Sequence, residues 1–149
     1  MWRQNMAPKS TALTLYTRLM RATTTVTEKM HRHLQDHRLS ISQFGVLEAL
    51  YHLGPMCQKE IGGKILKTSG NMTLVIDNLE KSNLVRRQKD PEDRRRTIVT
   101  ITDKGADVIQ TIFPHHENIA REIFSVLDPE EQSTLGTLLK KLGMENLNT

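Results

Sequence analysis

The sequence predicts a mostly α-helical chain with a helix-turn-helix and a small β-hairpin behind it. Three observations carry this reading. Apolar residues recur every three or four positions along most of the chain; two short helical patterns meet at a brief break at Lys67-Thr68; and two β-branched or alternating runs, 84–88 and 97–101, flank a turn containing Asp90-Pro91. Aromatic residues make up only 4% of the chain, so the aliphatic Leu, Ile, Val and Met must fill the core, which suits helices.

Each element has a local cause. Leu13, Tyr16, Met20, Thr23, Val26 or Thr27, Met30 and Leu34 form one apolar face, so residues 10–37 read as a long amphipathic helix. Ser40-Ile41-Ser42-Gln43 fits a capping box that opens a second helix bearing Phe44, Val46, Leu47 and Leu50. Gly54-Pro55 ends it, since Gly takes the left-handed cap conformation and Pro cannot extend a helix. Residues 57–66 form a short helix with Ile61 and Ile65 inward. A helix over about 69–82 follows, burying Met72, Val75 or Ile76, and Leu79 while Ser69, Asn71, Thr73, Asp77 and Asn78 lie on or near the outside. Asn83 is suited to the positive-φ position after it. Thr102 caps a long helical region from 103 to about 127, in which Pro114 should force a kink or break. Asp128-Pro129-Glu130-Glu131 then starts a last helix, lined by Leu135, Leu138, Leu139 and Leu142 and ending at Gly143.

At 149 residues the chain suits one domain. It has no apolar run near the roughly 18 residues of a membrane span and no signal-peptide pattern in MWRQNMAPKS, so a cytoplasmic protein is expected. A single cysteine, Cys57, rules out an intrachain disulfide and a cysteine-based zinc cluster. Charge is divided along the chain: residues 1–56 carry 7 Lys/Arg against 3 Asp/Glu, 57–96 carry 10 against 6, and 97–149 carry 4 against 8. A basic front joined to an acidic tail fits a polyanion-binding surface with a separate region kept off it. Residues 89–96 hold seven charges in eight positions, on what reads as a hairpin tip. A polar helix face of Ser, Asn and Thr can meet base edges in a major groove, while a cationic tip reaches phosphate or the adjacent minor groove. Asp93 is no phosphate ligand, but its carboxylate can fix an arginine fork.

The stretch SGNMTLVIDNLEKSNLVRR, followed by DPEDRRRTIVTITDKG, resembles the recognition helix, wing and return strand of the MarR family of winged helix-turn-helix transcriptional regulators. Asp93 and Arg95 match the family's Asp-x-Arg element, and LSISQFGVLEAL resembles its second helix. Two departures are present: Asn83 replaces a usual Gly, and Cys57 stands where a Ser or Thr commonly caps the first helix of the motif. The resemblance covers nearly the whole chain. It implies a single MarR-like domain over 1–149, with dimerisation helices at 10–37 and 103–143 around a winged helix-turn-helix at 40–102. It also implies a homodimeric, non-enzymatic repressor that binds double-stranded DNA at a pseudo-palindromic operator and answers to a small-molecule effector, aromatic or anionic. DNA contacts are expected from Thr68, Ser69, Asn71, Met72, Thr73, Asp93, Arg94, Arg95 and Arg96, and effector contacts from Tyr16, Met20, Met30, Phe44 and His52.

No nucleophile motif or Gly-rich phosphate loop is present, and no catalytic residue or cofactor is expected. Two other effector classes stay open. Six histidines invite a metal-responsive regulator, although adjacent His115 and His116 cannot aim at one ion from one helix, and His33 and His37 fit a solvent-facing helix end. Cys57 invites a thiol-redox regulator, because a helix start lowers a thiol pKa, while Glu60 three residues on opposes it.

Overall fold

The computed structural model describes residues 10–65 and 71–147. Its elements run α1 (Thr11–Arg32), a 3-10 turn (His33–His37), α2 (Ile41–Leu53), β1 (Met56–Cys57), α3 (Gln58–Lys64), α4 (Met72–Lys81), β2 (Val85–Lys89), β3 (Thr97–Ile101), α5 (Asp103–Phe124) and α6 (Pro129–Asn146). The chain divides into two compact units, one of residues 31–116 and one of the segments on either side.

The 31–116 unit holds the core. α2 supplies the largest share of it, with Phe44, Val46, Leu47 and Leu50 all buried. Ile61 of α3, Ile76 and Leu79 of α4, Val99 of β3, and Ile109 and Ile112 of α5 join it, as do Leu34, Met56, Leu84 and Val85. The capping box forms as expected: Gln43 N–H donates to Ser40 Oγ at 3.1 Å and Ser40 N–H to Gln43 Oε1 at 2.9 Å. Asn83 takes φ 59°, and Leu84 N–H donates to the Leu79 carbonyl at 2.9 Å, closing α4 with a left-handed cap.

Five expectations are corrected. The first helix does not run to His37: the last turn tightens into the 3-10 turn, and Arg38 at φ 56° ends it. The sheet has three antiparallel strands in the order β1-β3-β2, since Met56 and Cys57 pair with Val99 and Ile98 before α3 begins. α4 starts at Met72, with Asn71 as N-cap, and the expected starting residue Ser69 lies outside the described residues, as does the break at Lys67-Thr68. Of the kink or break expected at Pro114, the break does not occur, since α5 continues for ten residues beyond it. The wing strand β2 is also one residue later than the pattern suggests, pairing from Val85↔Ile101 to Lys89↔Thr97.

The other unit contains α1, the end of α5 and α6. The Asp128 carboxylate accepts from Glu131 N–H at 2.8 Å, with Pro129 in the first turn, so α6 begins as its sequence dictates. That hydrogen bond holds the Asp128 pKa below its ordinary value. Gln132 ties the turn before α6 together, donating to the carbonyls of Phe124 and Leu127 at 2.9 and 3.0 Å. Neither α1 nor α6 buries a described side chain. Leu13, Leu15 and Tyr16 of α1 and Leu138, Leu139 and Leu142 of α6 stay exposed.

Candidate nucleic-acid interface

α3 and α4 form the helix-turn-helix, with β2 and β3 directly behind. Ile76 and Leu79 anchor α4 in the core, and Met72 and Val75 pack partly against it. The opposite face therefore points outward, and Thr73, Leu74, Asn78 and Lys81 are exposed there. Local bonds use some of this polarity. Asn71 Oδ1 accepts from Leu74 N–H at 3.1 Å, capping the helix, and Thr73 Oγ1 accepts from Gln58 Nε2 at 2.8 Å, joining α4 to α3.

Arg87, on β2, braces the outer edge of α4. Its guanidinium donates to Asp77 Oδ1 at 2.6 Å and Glu80 Oε1 at 3.3 Å, and its backbone N–H donates to Glu80 Oε2 at 3.0 Å. This ion pair neutralises Asp77, which would otherwise repel a polyanion from the exposed helix face.

The wing tip is built by its acids. Asp90 N–H donates to the Arg96 carbonyl at 3.0 Å and Arg96 N–H to the Asp93 carbonyl at 2.9 Å, closing the loop. Asp90 Oδ1 accepts from Glu92 N–H at 2.9 Å, and Asp93 Oδ1 accepts from Arg95 N–H at 3.1 Å, two Asx turns in succession. The same Asp93 oxygen accepts from Arg95 Nε at 3.3 Å, yet the Arg95 side chain is 94% exposed, so its fork is oriented without being covered. Arg94 is exposed as well.

Arg96 differs from its neighbours. It turns to Glu60 at 3.4 Å and Asp90 at 3.9 Å, tying the wing to the start of α3. The neighbouring Cys57 side chain, then the Glu60 carboxylate, raise its pKa. Glu60 itself accepts from Cys57 N–H at 2.8 Å, and this bond holds its carboxyl below the ordinary range. Cys57 is thus the residue before α3 and is half-buried at the wing base.

Of the residues expected to touch DNA, Asn71, Thr73, Arg94, Arg95 and Arg96 are exposed, Asp93 is half-buried under Arg95, and Met72 is half-buried against the core. Thr68 and Ser69 lie outside the described residues. The residues expected to meet an effector are divided between the units. Tyr16, Met20 and Met30 belong to the outer helices. Phe44 is a core residue with its ring 4.6 Å from His116, and the His52 ring lies 4.9 Å from Phe113. Gln58 and Arg87 were not singled out from the sequence. The alternation of β2 offered a signal for Arg87, because Arg86 and Arg87 must face opposite sides of the sheet.

The histidines also depart from expectation. His33 is buried rather than solvent-facing, and its Nε2 lies 3.1 Å from His116 Nδ1. The His115 ring meets it edge-on at 5.2 Å. Among the described residues no group of three or more His, Cys, Asp or Glu is arranged to hold a metal ion.

The geometry combines an exposed helix face with an arginine-tipped hairpin, and comparison with known proteins points the same way. The MarR family model matches residues 39–97. Over 133 residues the chain is 40% identical to the HTH-type transcriptional regulator MhqR of Bacillus subtilis, covering 89% of this chain and 92% of that one. Among solved structures, Sco3205 of Streptomyces coelicolor, a MarR family transcriptional regulator crystallised in complex with DNA, superposes with a TM-score of 0.82 at 25% identity, over 94% of this chain and 91% of its own. BpsR of Bordetella bronchiseptica, whose DNA binding is regulated by 6-hydroxynicotinic acid, gives a TM-score of 0.82 at 26% identity, over 92% and 98%.

Proposed function

This chain belongs to the MarR family of transcriptional regulators, and from that premise we propose that it is a cytoplasmic, ligand-responsive repressor that binds a pseudo-palindromic operator as a homodimer. The observation that carries the DNA-binding part is the pairing of α4's outward face with the Arg94-Arg95 wing tip: one element is shaped for the major groove, the other for phosphate and the minor groove. In this reading Asn71, Met72 and Thr73, with Thr68 and Ser69 just ahead of them, approach base edges, while Arg94 and Arg95 neutralise backbone charge, Asp93 orients Arg95, and Arg96, paired with Glu60 and Asp90, adds to the cationic wing mainly by holding it in place.

The homodimer is supported by α1 and α6, whose exposed Leu13, Leu15, Tyr16, Leu138, Leu139 and Leu142 leave apolar surface that a second copy would cover. Two copies would place two recognition helices one turn of duplex apart, matching a pseudo-palindrome. Effector control draws on the relative whose DNA binding responds to 6-hydroxynicotinic acid; a small aromatic acid is the corresponding ligand class here. Among the described residues no helix is long and apolar enough to cross a membrane.

Sequencing genomic fragments retained by the full-length protein tests the reading, combined with sedimentation of the protein alone. A dimer at micromolar concentration and retained fragments sharing an inverted repeat are the expected outcome. A monomer, or fragments without a common site, would overturn it.

A further inference from the structure

The polar residues at the front of α4 are not its freest ones. Asn71 caps the helix, Thr73 accepts a hydrogen bond from Gln58, and Asp77 is held by Arg87 at 2.6 Å. Leu74 has no such role. The residue is 51% exposed and lies outside the core cluster, although Leu is among the residues a protein most often buries.

Its position on the helix is equally specific. At about 100° per residue, Leu74 and Lys81 lie within about 30° of the line opposite the stripe formed by Met72, Val75, Ile76 and Leu79. Leu74 therefore points directly away from the core, in the first helical turn, where a recognition helix comes nearest to base edges. Asn78, one turn further on the same side, is exposed and has no side-chain hydrogen bond among the described residues. An isobutyl group has no hydrogen bond to offer a base. The one base-edge feature in a major groove that rewards apolar contact is the 5-methyl group of thymine.

Building on the DNA-binding reading above, we propose that Leu74 is a specificity-determining residue that reads a thymine methyl group in each operator half-site. The groove-facing side of α4 then works by division of labour: an apolar contact at Leu74, flanked by the hydroxyl of Thr73 and the amide of Asn78. Removing either partner of the contact, the methyl or the isobutyl, should cost the same interaction, and removing both should cost it only once.

The test uses the full-length protein and a duplex selected by it from a random library. Each thymine in that duplex is replaced in turn by deoxyuridine, which removes the methyl group and leaves every Watson–Crick hydrogen bond intact. For wild type, one replacement per half-site should weaken binding roughly fourfold, the worth of one buried methyl group. Leu74→Ala, with unchanged melting temperature, should bind the thymine duplex more weakly and be indifferent to that same replacement. Wild type that ignores every thymine-to-deoxyuridine replacement would overturn the proposal, and so would Leu74→Ala retaining the full methyl sensitivity. A library that yields no selected sequence would instead bring down the DNA-binding reading on which the proposal rests.

Discussion

Arg87 Nη1 sits 2.6 Å from Asp77 Oδ1, joining the second strand to the outer edge of the recognition helix. The Arg87 side chain is only 22% exposed against 41% for Asp77, so the pair lies between a surface ion pair and a buried one. Glu80 contributes a second carboxylate to the same guanidinium and also accepts the Arg87 backbone N–H. The helix and the wing are thereby fixed to one another by side chains as well as by the core.

Replacing Arg87 with Met, which keeps the stem and removes the charge, should lower stability by about 1 to 3 kcal/mol in urea unfolding, between the values for exposed and buried pairs. DNA binding by the folded variant should weaken too, because Asp77 and Glu80 would present uncompensated charge to phosphate. Stability and affinity both within error of wild type would show that the pair is ornamental.

Gly105 makes a second such junction. A Cβ there would run into the Leu84 carbonyl oxygen and stand 2.8 Å from Ile101 Cγ1, so the start of α5 can approach the base of the wing only without a side chain. Gly105→Ala is expected to cost at least about 1 to 3 kcal/mol, despite the better helix propensity of Ala, since rigid backbone must move. A variant that melts at the wild-type temperature would mean that the junction gives way easily.

Much of this was legible in the sequence, and the exceptions share a cause. Periodicity found α2 and α4 because their buried residues repeat at helical spacing, and Ser40/Gln43 and Asp128/Glu131 marked helix starts because their bonds are strictly local. β1 was invisible, since two residues carry no period and pair with partners some forty positions away. The His33–His116 contact spans 83 positions and the Arg87–Asp77 pair ten, so neither leaves a local trace. At the wing tip the pairing of Asp93 with Arg95 could be expected from the family's Asp-x-Arg pattern, whereas the inward turn of Arg96 to Glu60 could not, because it depends on where the tertiary fold puts α3.

For the wing, Arg95→Ala should weaken DNA binding by about 1 to 3 kcal/mol and reduce the slope of log affinity against log salt by roughly 1 per protomer. The melting temperature should hold, given the side chain's 94% exposure. Asp93→Ala should reproduce part of the loss although it removes a negative charge, because Asp93 Oδ1 orients both the Arg95 backbone N–H and Nε. Tighter binding by Asp93→Ala would leave the wing as a diffuse basic patch.

The His33–His116 pair gives a prediction about acid. At 3.1 Å one of the two facing nitrogens donates to the other, and a proton added to the accepting one sets two N–H groups against each other. Burial first, and then the neighbouring His33, His31 and His115, lower the His116 pKa from its ordinary 6.5 to about 4; Phe44, packed against it from α2, offers no counter-charge. In the unfolded chain His116 takes up its proton near 6.5, whereas in the folded chain it resists doing so until about 4. The folded state therefore binds fewer protons in that window. His116's contribution to stability is intact above pH 6.5 and is lost progressively as the pH falls toward 4. The urea midpoint should accordingly drop between pH 7 and pH 5, and His116→Gln, which can still hydrogen-bond to His33 but does not titrate, should show a shallower drop. A His116 ring resonance that titrates near 6.5 in the folded protein, or a variant whose pH dependence matches wild type, would show that the pair does not resist protonation.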